Sequence, residues 1–396
     1  MRHRRPLLPR LHRWLGLTLA AWVTLIAVTG GALLWSDEYL TFRHGDVASR
    51  STAAWPAAAV IQRALAGREG EVATIGLPRP GRPFVHLYLR DGGQLLLDPK
   101  DGVVLGEHTP TQSLMAFLFD LHAHLLAGDT GHIVVGVLGI GLLTSAASGV
   151  VLWFRRRRVF KLRAIFVNEA TPQAVLRSHA AQGALVAAAL TAVAITGVAM
   201  VFPAPIAKVL DAALGVEGPV RPGVSTVTAP QGPTDWVQVL ASAEKLFPDA
   251  RLRFVSPPAS ATQPVTLRLR QPSELHPNGR SYAVIEPTSG KVLEHIDAET
   301  RGLGPAVFDA LYPLHSGKTG WPGHRWALLL IAAVLLRLVV TSIWLLVDRR
   351  RRRRALAARV AAANREAEML STGVHQQAPD SHRDTFRSGA SEGRGC

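Results

Sequence analysis

Cysteine is almost missing: of 396 residues only Cys396, at the C-terminal end, carries a thiol. One thiol excludes an intrachain disulfide, a cysteine-held iron–sulfur cluster and covalent c-type haem attachment. Acidic residues are scarce too, 29 against 44 Lys plus Arg, which leaves a formal net charge of +15. Such a charge raises nucleic acid as a partner, but the arginines are not spread over a folded face. They cluster as MRHRR at the start, RRRR at Arg155 to Arg158 and RRRRRR at Arg349 to Arg354. Clusters of this kind border membrane segments, so nucleic acid is not an expected partner. No glycine-rich loop joins a strand to a helix in the way that bound phosphates require, and no serine-protease arrangement is visible.

What the chain does have is apolar length, with 48% hydrophobic residues. About 20 uncharged residues suffice to cross a bilayer. Four runs qualify: Leu15–Trp35, Ile133–Phe154, Gly183–Phe202 and Trp326–Val347, the last interrupted by Arg337. The three arginine clusters place both termini and the short middle loop in the cytosol, and the two long connections outside. A cleaved signal is the other reading of the first run, but its core is too long and LWSDEY offers no small-residue cleavage site. Trp14, Trp35, Trp153, Trp321 and Trp326 stand at span ends, where indoles prefer the interface.

The expected layout is therefore a basic cytosolic N-terminus (1–10), a first span (11–35), an outside module with a re-entry helix (36–130) and a second span (131–154). A cytosolic loop (155–178), a third span (179–203), a second outside module (204–321) and a fourth span (322–348) follow. Residues 349–396 read as a basic cytosolic tail, polar and expected to be disordered, with ALAARVAAANREAEML as an amphipathic or solvated helix within it.

The two halves repeat. LHRWLGLTLAAWVTLIAVTGG, Leu11 to Gly31, and SHAAQGALVAAALTAVAITGV, Ser178 to Val198, share His-x3-Gly-x12-Thr-Gly with every interval identical: His12, Gly16, Thr29 and Gly30 recur as His179, Gly183, Thr196 and Gly197. QLLLDPKDGVVLGE and SYAVIEPTSGKVLEH share an acid-Pro-x-x-Gly turn between β-rich runs, which predicts a hairpin in each copy. A helical pattern precedes each, WPAAAVIQRALAG and DWVQVLASAEKLF, so each outside segment is a small α+β module. The fold class expected is a membrane α-helical protein with four spans in two parallel repeats, related by an axis near the membrane normal, carrying two such modules.

Four of the 15 histidines stand out. His12 and His179 lie at cytosolic span ends; His122 and His315 lie just before spans two and four, at the outside face. A twofold-like arrangement turns these into two bis-histidine sites, which suits b-type haem held only by axial nitrogens, with electron transfer as its chemistry. Gly16 and Gly183, one turn from their histidines, clear space for a flat macrocycle. Thr29-Gly30 and Thr196-Gly197 serve close packing or a second cofactor edge. Taken singly, a histidine at a span end reads as an interfacial polar residue, and small residues as helix packing; the recurrence carries the ligand reading. His122 and His124 resemble a metal pair but point to different helix faces. His132 and His324 are alternatives to the assigned outside ligands, and Arg337 is expected to face the bundle and meet a haem propionate or a carbonyl.

LHRWLGLTLAAWVTLIAVTGGALLW, LFDLHAHLLAGDTG with SGVVLWFRRRR, SHAAQGALVAAALTAVAITG, and PLHSGKTGWPG resemble the four membrane motifs of the PepSY-associated transmembrane family, and the acid-Pro-x-x-Gly hairpins resemble PepSY domain ends. The resemblance covers about residues 5–354. It implies a bacterial inner-membrane protein, and for some members two b haems and reduction of ferric siderophores in the periplasm. It supports His12, His122, His179 and His315, each at the histidine of its own motif. Ser148-Gly149 and Thr341-Ser342 stand where the family often has Thr-Gly. No flavin or NADPH domain is fused, so the electron donor is a separate cytosolic or membrane molecule. Two other functions fit a repeated membrane chain: a membrane-anchored PepSY module that binds proteins or regulates a protease, and a transporter subunit.

Overall fold

The computed structural model describes residues 7–45, 56–156, 165–166, 169–214, 222–223, 226–227 and 232–376. Contacts divide the chain into Met1–Ser342 and Ile343–Cys396. The first unit holds α1 (Leu7–Thr18), α2 (Ala20–Leu33), α3 (Ser36–Arg43), α4 (Ala57–Leu65), β1 (Val72–Gly76), β2 (Val85–Leu89), β3 (Gln94–Leu97), β4 (Val104–Glu107), α5 (Leu114–His124) and α6 (Gly128–Arg156). It continues with α7 (Pro172–Val201), α8 (Pro203–Leu214), α9 (Trp236–Leu246), β5 (Arg251–Ser256), β6 (Val265–Arg270), β7 (Ser281–Ile285), β8 (Val292–Ile296) and α10 (Leu303–Ser316). Helix α11 (Pro322–Gln376) begins in this unit and supplies the second. Each half thus runs span, short helix, helix, four strands, histidine-bearing helix, span.

The two α+β segments do not build separate sheets. Eight antiparallel strands form one, in the order β4-β3-β2-β1-β5-β6-β7-β8, and its central seam pairs Ile75 with Val255 and Gly76 with Phe254. Helices α4 and α9 cover one face, and a single apolar core joins them: Val60, Ile61 and Ala64 meet Trp236, Val239 and Ala243 over Ile75, Leu87, Val255 and Leu267. One core removes more apolar area from water than two small ones, which is the physical reason for the merger. The expected hairpins are present. Gly102 and Gly290 take φ of 76° and 66° at the turns, and the preceding acids cap them, Asp98 accepting from Lys100 N at 2.8 Å and Glu286 from Thr288 N at 3.1 Å.

The sheet's second face is of another kind. Period-2 alternation puts Val265, Leu267 and Leu269 into the core and leaves Arg268 and Arg270 opposite; likewise His86 and Tyr88 stand opposite Val85 and Leu87. This basic and aromatic face meets α3 and α10, through Arg79 and Arg82 near Asp37 and through His276 stacked on Tyr312 at 5.1 Å.

Three helices, α6, α7 and α11, are long and apolar enough to cross a membrane, and α1 with α2 makes a fourth when taken as one bent span. The first span, expected as one helix over 11–35, is broken at Leu19 with a 56° bend. There the Thr18 hydroxyl donates to the Leu15 carbonyl at 3.0 Å, and such back-bonding competes with the helix ladder. Helix α7 begins at Pro172, inside the expected loop 155–178, because Thr171 caps it by accepting from Ala174 N and proline suits the first turn. In the tail, the helix expected over ALAARVAAANREAEML is present as part of α11, which runs on to 376 where disorder was expected, with exposed side chains over 349–369. Its Ala, Arg and Glu content favours the helix by propensity alone. The remainder of the expected disordered tail, 377–396, lies outside the described residues.

Candidate functional site

Helix α6 lies along α7, α1 against α6, α5 against α2 and α6, and α10 against α7. This arrangement turns His12 on α1 toward His179 on α7, with ring centres 6.3 Å apart, and His122 on α5 toward His315 on α10, again 6.3 Å apart. Along α7, 17 residues separate His179 from Thr196, which contacts the second pair, so at about 1.5 Å per residue the pairs stand about 25 Å apart along that helix. Metal–imidazole bonds of about 2 Å on each side, added to each ring's own half-width, call for ring centres about 6 Å apart.

The same device braces every ring. Nδ1 of His12 lies 3.0 Å from Ser148 Oγ, that of His122 2.9 Å from Thr29 Oγ1, that of His179 2.9 Å from Thr341 Oγ1 and that of His315 3.3 Å from Thr196 Oγ1. Each hydroxyl already donates to a carbonyl of its own helix: Ser148 to Ser145, Thr29 to Leu25, Thr341 to Leu338 and Thr196 to Ala192 and Val193. The oxygen can then only accept, so Nδ1 carries the proton. Backbone carbonyls reinforce this, since Ser145 O and Val193 O also lie 3.0 Å from Nδ1 of His12 and His315. The tautomer that follows leaves the Nε2 lone pair of all four rings free as a metal ligand.

Glycine makes this bracing possible at three of the four positions. A Cβ on Gly30 would stand 2.9 Å from Cε1 of His122, one on Gly197 2.9 Å from His315 and one on Gly149 3.0 Å from His12, so the imidazoles lie directly on glycine backbone. At the fourth position stands Ser342, whose hydroxyl returns to Leu338 O. Around Gly183 nothing lies within 4 Å of an added Cβ, and around Gly16 only Ser145 Oγ, at 4.0 Å. Among the described residues no group of three or more His, Cys, Asp or Glu is arranged for a metal ion. A two-imidazole set suits a metal that brings its other ligands with it.

Residues 9–349 match the family described as PepSY-associated TM region. The chain belongs to the PepSY-associated transmembrane family. It is accordingly a multi-pass membrane protein, in contact with the lipid bilayer. No curated protein matches the chain.

In this PepSY-associated protein the remaining candidate residues have other partners. His124 pairs with Asp120 at 3.1 Å and lies against His132, ring centres 4.9 Å apart, while His132 Nδ1 donates to Ala123 O at 3.0 Å. His324 meets Thr319 Oγ1 at 3.1 Å. Arg337, expected to turn into the bundle, is exposed, one turn before Thr341. Its long stem lets the guanidinium reach away from the helix axis without being packed. Two features escaped the sequence reading. The four positions are marked in the sequence, by Thr-Gly in spans one and three and by Ser148-Gly149 and Thr341-Ser342 in spans two and four, but no local pattern shows that their hydroxyls brace the rings. The basic face of the sheet was signalled only by the alternation VTLRLR. On that face burial and Arg82 hold His86 well below the usual imidazole range and bring His108 to about 4, so both are neutral hydrogen-bonding groups.

Proposed function

We propose that this chain is a dihaem electron carrier of the bacterial inner membrane that delivers electrons to a ferric siderophore or other ferric chelate on the sheet side. The single observation that carries the reading is the two imidazole pairs, each with ring centres 6.3 Å apart and each ring braced through Nδ1. His12 and His179 would hold one b-type haem, His122 and His315 the other. With two imidazoles as its protein ligands, a bound haem would supply a one-electron iron couple. The hydroxyl and carbonyl acceptors fix ring orientation and raise the basicity of Nε2. Gly183 and Gly16 keep the helix surface flat beside the His12–His179 pair.

Orientation follows from the arginines: those at the end of α6 and those that follow the apolar part of α11 are taken to face the cytosol, which makes the His12–His179 pair the cytosolic one and the sheet periplasmic. A separate cytosolic or membrane donor gives up one electron per ferric ion reduced. The chelate's iron passes from ferric to ferrous, and a chelator built for the hard ferric ion then releases it. The test is stopped-flow absorbance after anaerobic mixing of dithionite-reduced protein with ferric chelates, with a ferrous-iron trap present. The expected result is reoxidation in step with trapped ferrous iron. Reoxidation no faster than in the chelate-free control, across several chelate classes, would favour a binding module instead.

A further inference from the structure

Beneath the sheet lies a cavity of about 330 Å³, bounded by the end of α7 at Ala199 and Met200, by α10 at Phe308, Leu311 and Tyr312, and by Arg268, His276, Asn278 and Arg280. Leu311 and Tyr312 precede His315 by four and three residues, so the cavity is one helical turn from the sheet-side histidine pair. We propose that this cavity recognises anionic ferric chelates of the polycarboxylate class, with Arg268, Arg280 and His276 as the contacts to carboxylate groups. The proposal rests on the electron-transfer reading above and adds the charge class of its substrate.

Three observations carry it. Among the described residues no carboxylate lines the cavity, whereas two guanidiniums and an imidazole do. The nearest acids are already engaged: Asp309 is held by Arg280 at 3.1 Å and by Arg301, and Glu274 accepts from Gln271 N and Ser281 Oγ, both at 2.9 Å, and from Arg280 N. Arg79 reaches into the same place from the other half of the sheet, donating to Asn278 Oδ1 and Pro277 O. The cavity is therefore a partly buried positive region, where a guanidinium fork matches a carboxylate in both geometry and charge. A cationic chelate meets repulsion there instead.

The polar groups are also preset. His276 Nδ1 accepts from Asn278 N at 3.1 Å, which leaves Nε2–H as the donor. Burial, followed by Arg280, Arg268, Arg79 and Arg270, pushes His276 down to about 2, so the ring is neutral beside these guanidiniums. The volume is at the small end for ligand sites, which favours a compact chelate such as ferric citrate over a whole large siderophore.

Gallium(III) complexes test this, because gallium mimics ferric iron in size and charge but is not reduced. Full-length protein in nanodiscs is titrated with gallium citrate and, separately, with the gallium complex of a cationic trihydroxamate. The expected results are tighter binding of the citrate complex, weakening as salt is raised, and a Kd about tenfold higher for His276→Gln and for Arg280→Gln. Arg280 also pairs with Asp309, so Asn278→Asp is the second probe: it keeps the shape and the Arg79 contact, adds a negative charge, and is expected to weaken citrate binding by a similar factor. Equal binding of the two classes, or citrate binding unchanged in Asn278→Asp, would overturn the proposal. The two readings fail separately. Reoxidation by a cationic chelate with no citrate binding would discard the charge class and keep electron transfer; citrate binding with this mutational pattern in a haem-free protein would keep the cavity and discard electron transfer.

Discussion

Replacing His12 or His179 by alanine is expected to halve the haem content of the purified protein, and replacing His122 or His315 to halve it by loss of the other proposed site. Each pair supplies only two ligands, and among the described residues no third His, Cys, Asp or Glu stands close enough to substitute. The partner ring cannot swing to compensate, since its Nδ1 is tied to a hydroxyl on a neighbouring helix. The double variant His12→Ala with His122→Ala is expected to be colourless. His124, His132 and His324 serve as controls with unchanged haem, because Asp120, Ala123 O and Thr319 already engage them. Haem content is read from the dithionite-reduced minus oxidised spectrum of equal protein amounts. Unchanged content in all four ligand variants would remove the assignment, and a larger effect from any control would move the sheet-side site.

The second large effect concerns the direction of electron flow. In proteoliposomes with a reductant trapped inside and a ferric chelate outside, His12→Ala and His179→Ala are expected nearly to abolish ferrous iron production. The pairs stand about 25 Å apart along α7, too far for an inside donor to reach the sheet-side pair directly. The same variants in detergent, reduced chemically, should still be reoxidised by the chelate at the wild-type rate. Equal transmembrane rates in variant and wild type would mean that the two pairs do not act in series.

The His12–His179 pairing was legible because duplication kept His-x3-Gly-x12-Thr-Gly at fixed intervals, and the His122–His315 pairing because the two stand at equivalent places just before spans two and four. The hairpins were legible through acid, proline and glycine at their turns. The joining of the two modules was not. Its seam is two register pairs, Ile75 with Val255 and Gly76 with Phe254, between strands about 180 residues apart, and no local pattern announces such a pairing. The bend at Leu19 was hidden inside an unbroken apolar run. The role of the hydroxyls was half visible: Thr29 and Thr196 read as close packing or a second cofactor edge, whereas the bracing depends on a ring delivered by another helix. The cavity beneath the sheet has no linear signature, because a strand, a loop and three helices each give it one to three residues.

The central claim is that the two imidazole pairs hold two haems, and the most direct measurement is the haem-to-protein ratio of the wild-type protein purified from haem-replete cells, with its visible spectrum. The account predicts two b-type haems per chain and a low-spin, six-coordinate spectrum in both redox states. A colourless protein, or a five-coordinate high-spin spectrum at either site, would contradict it.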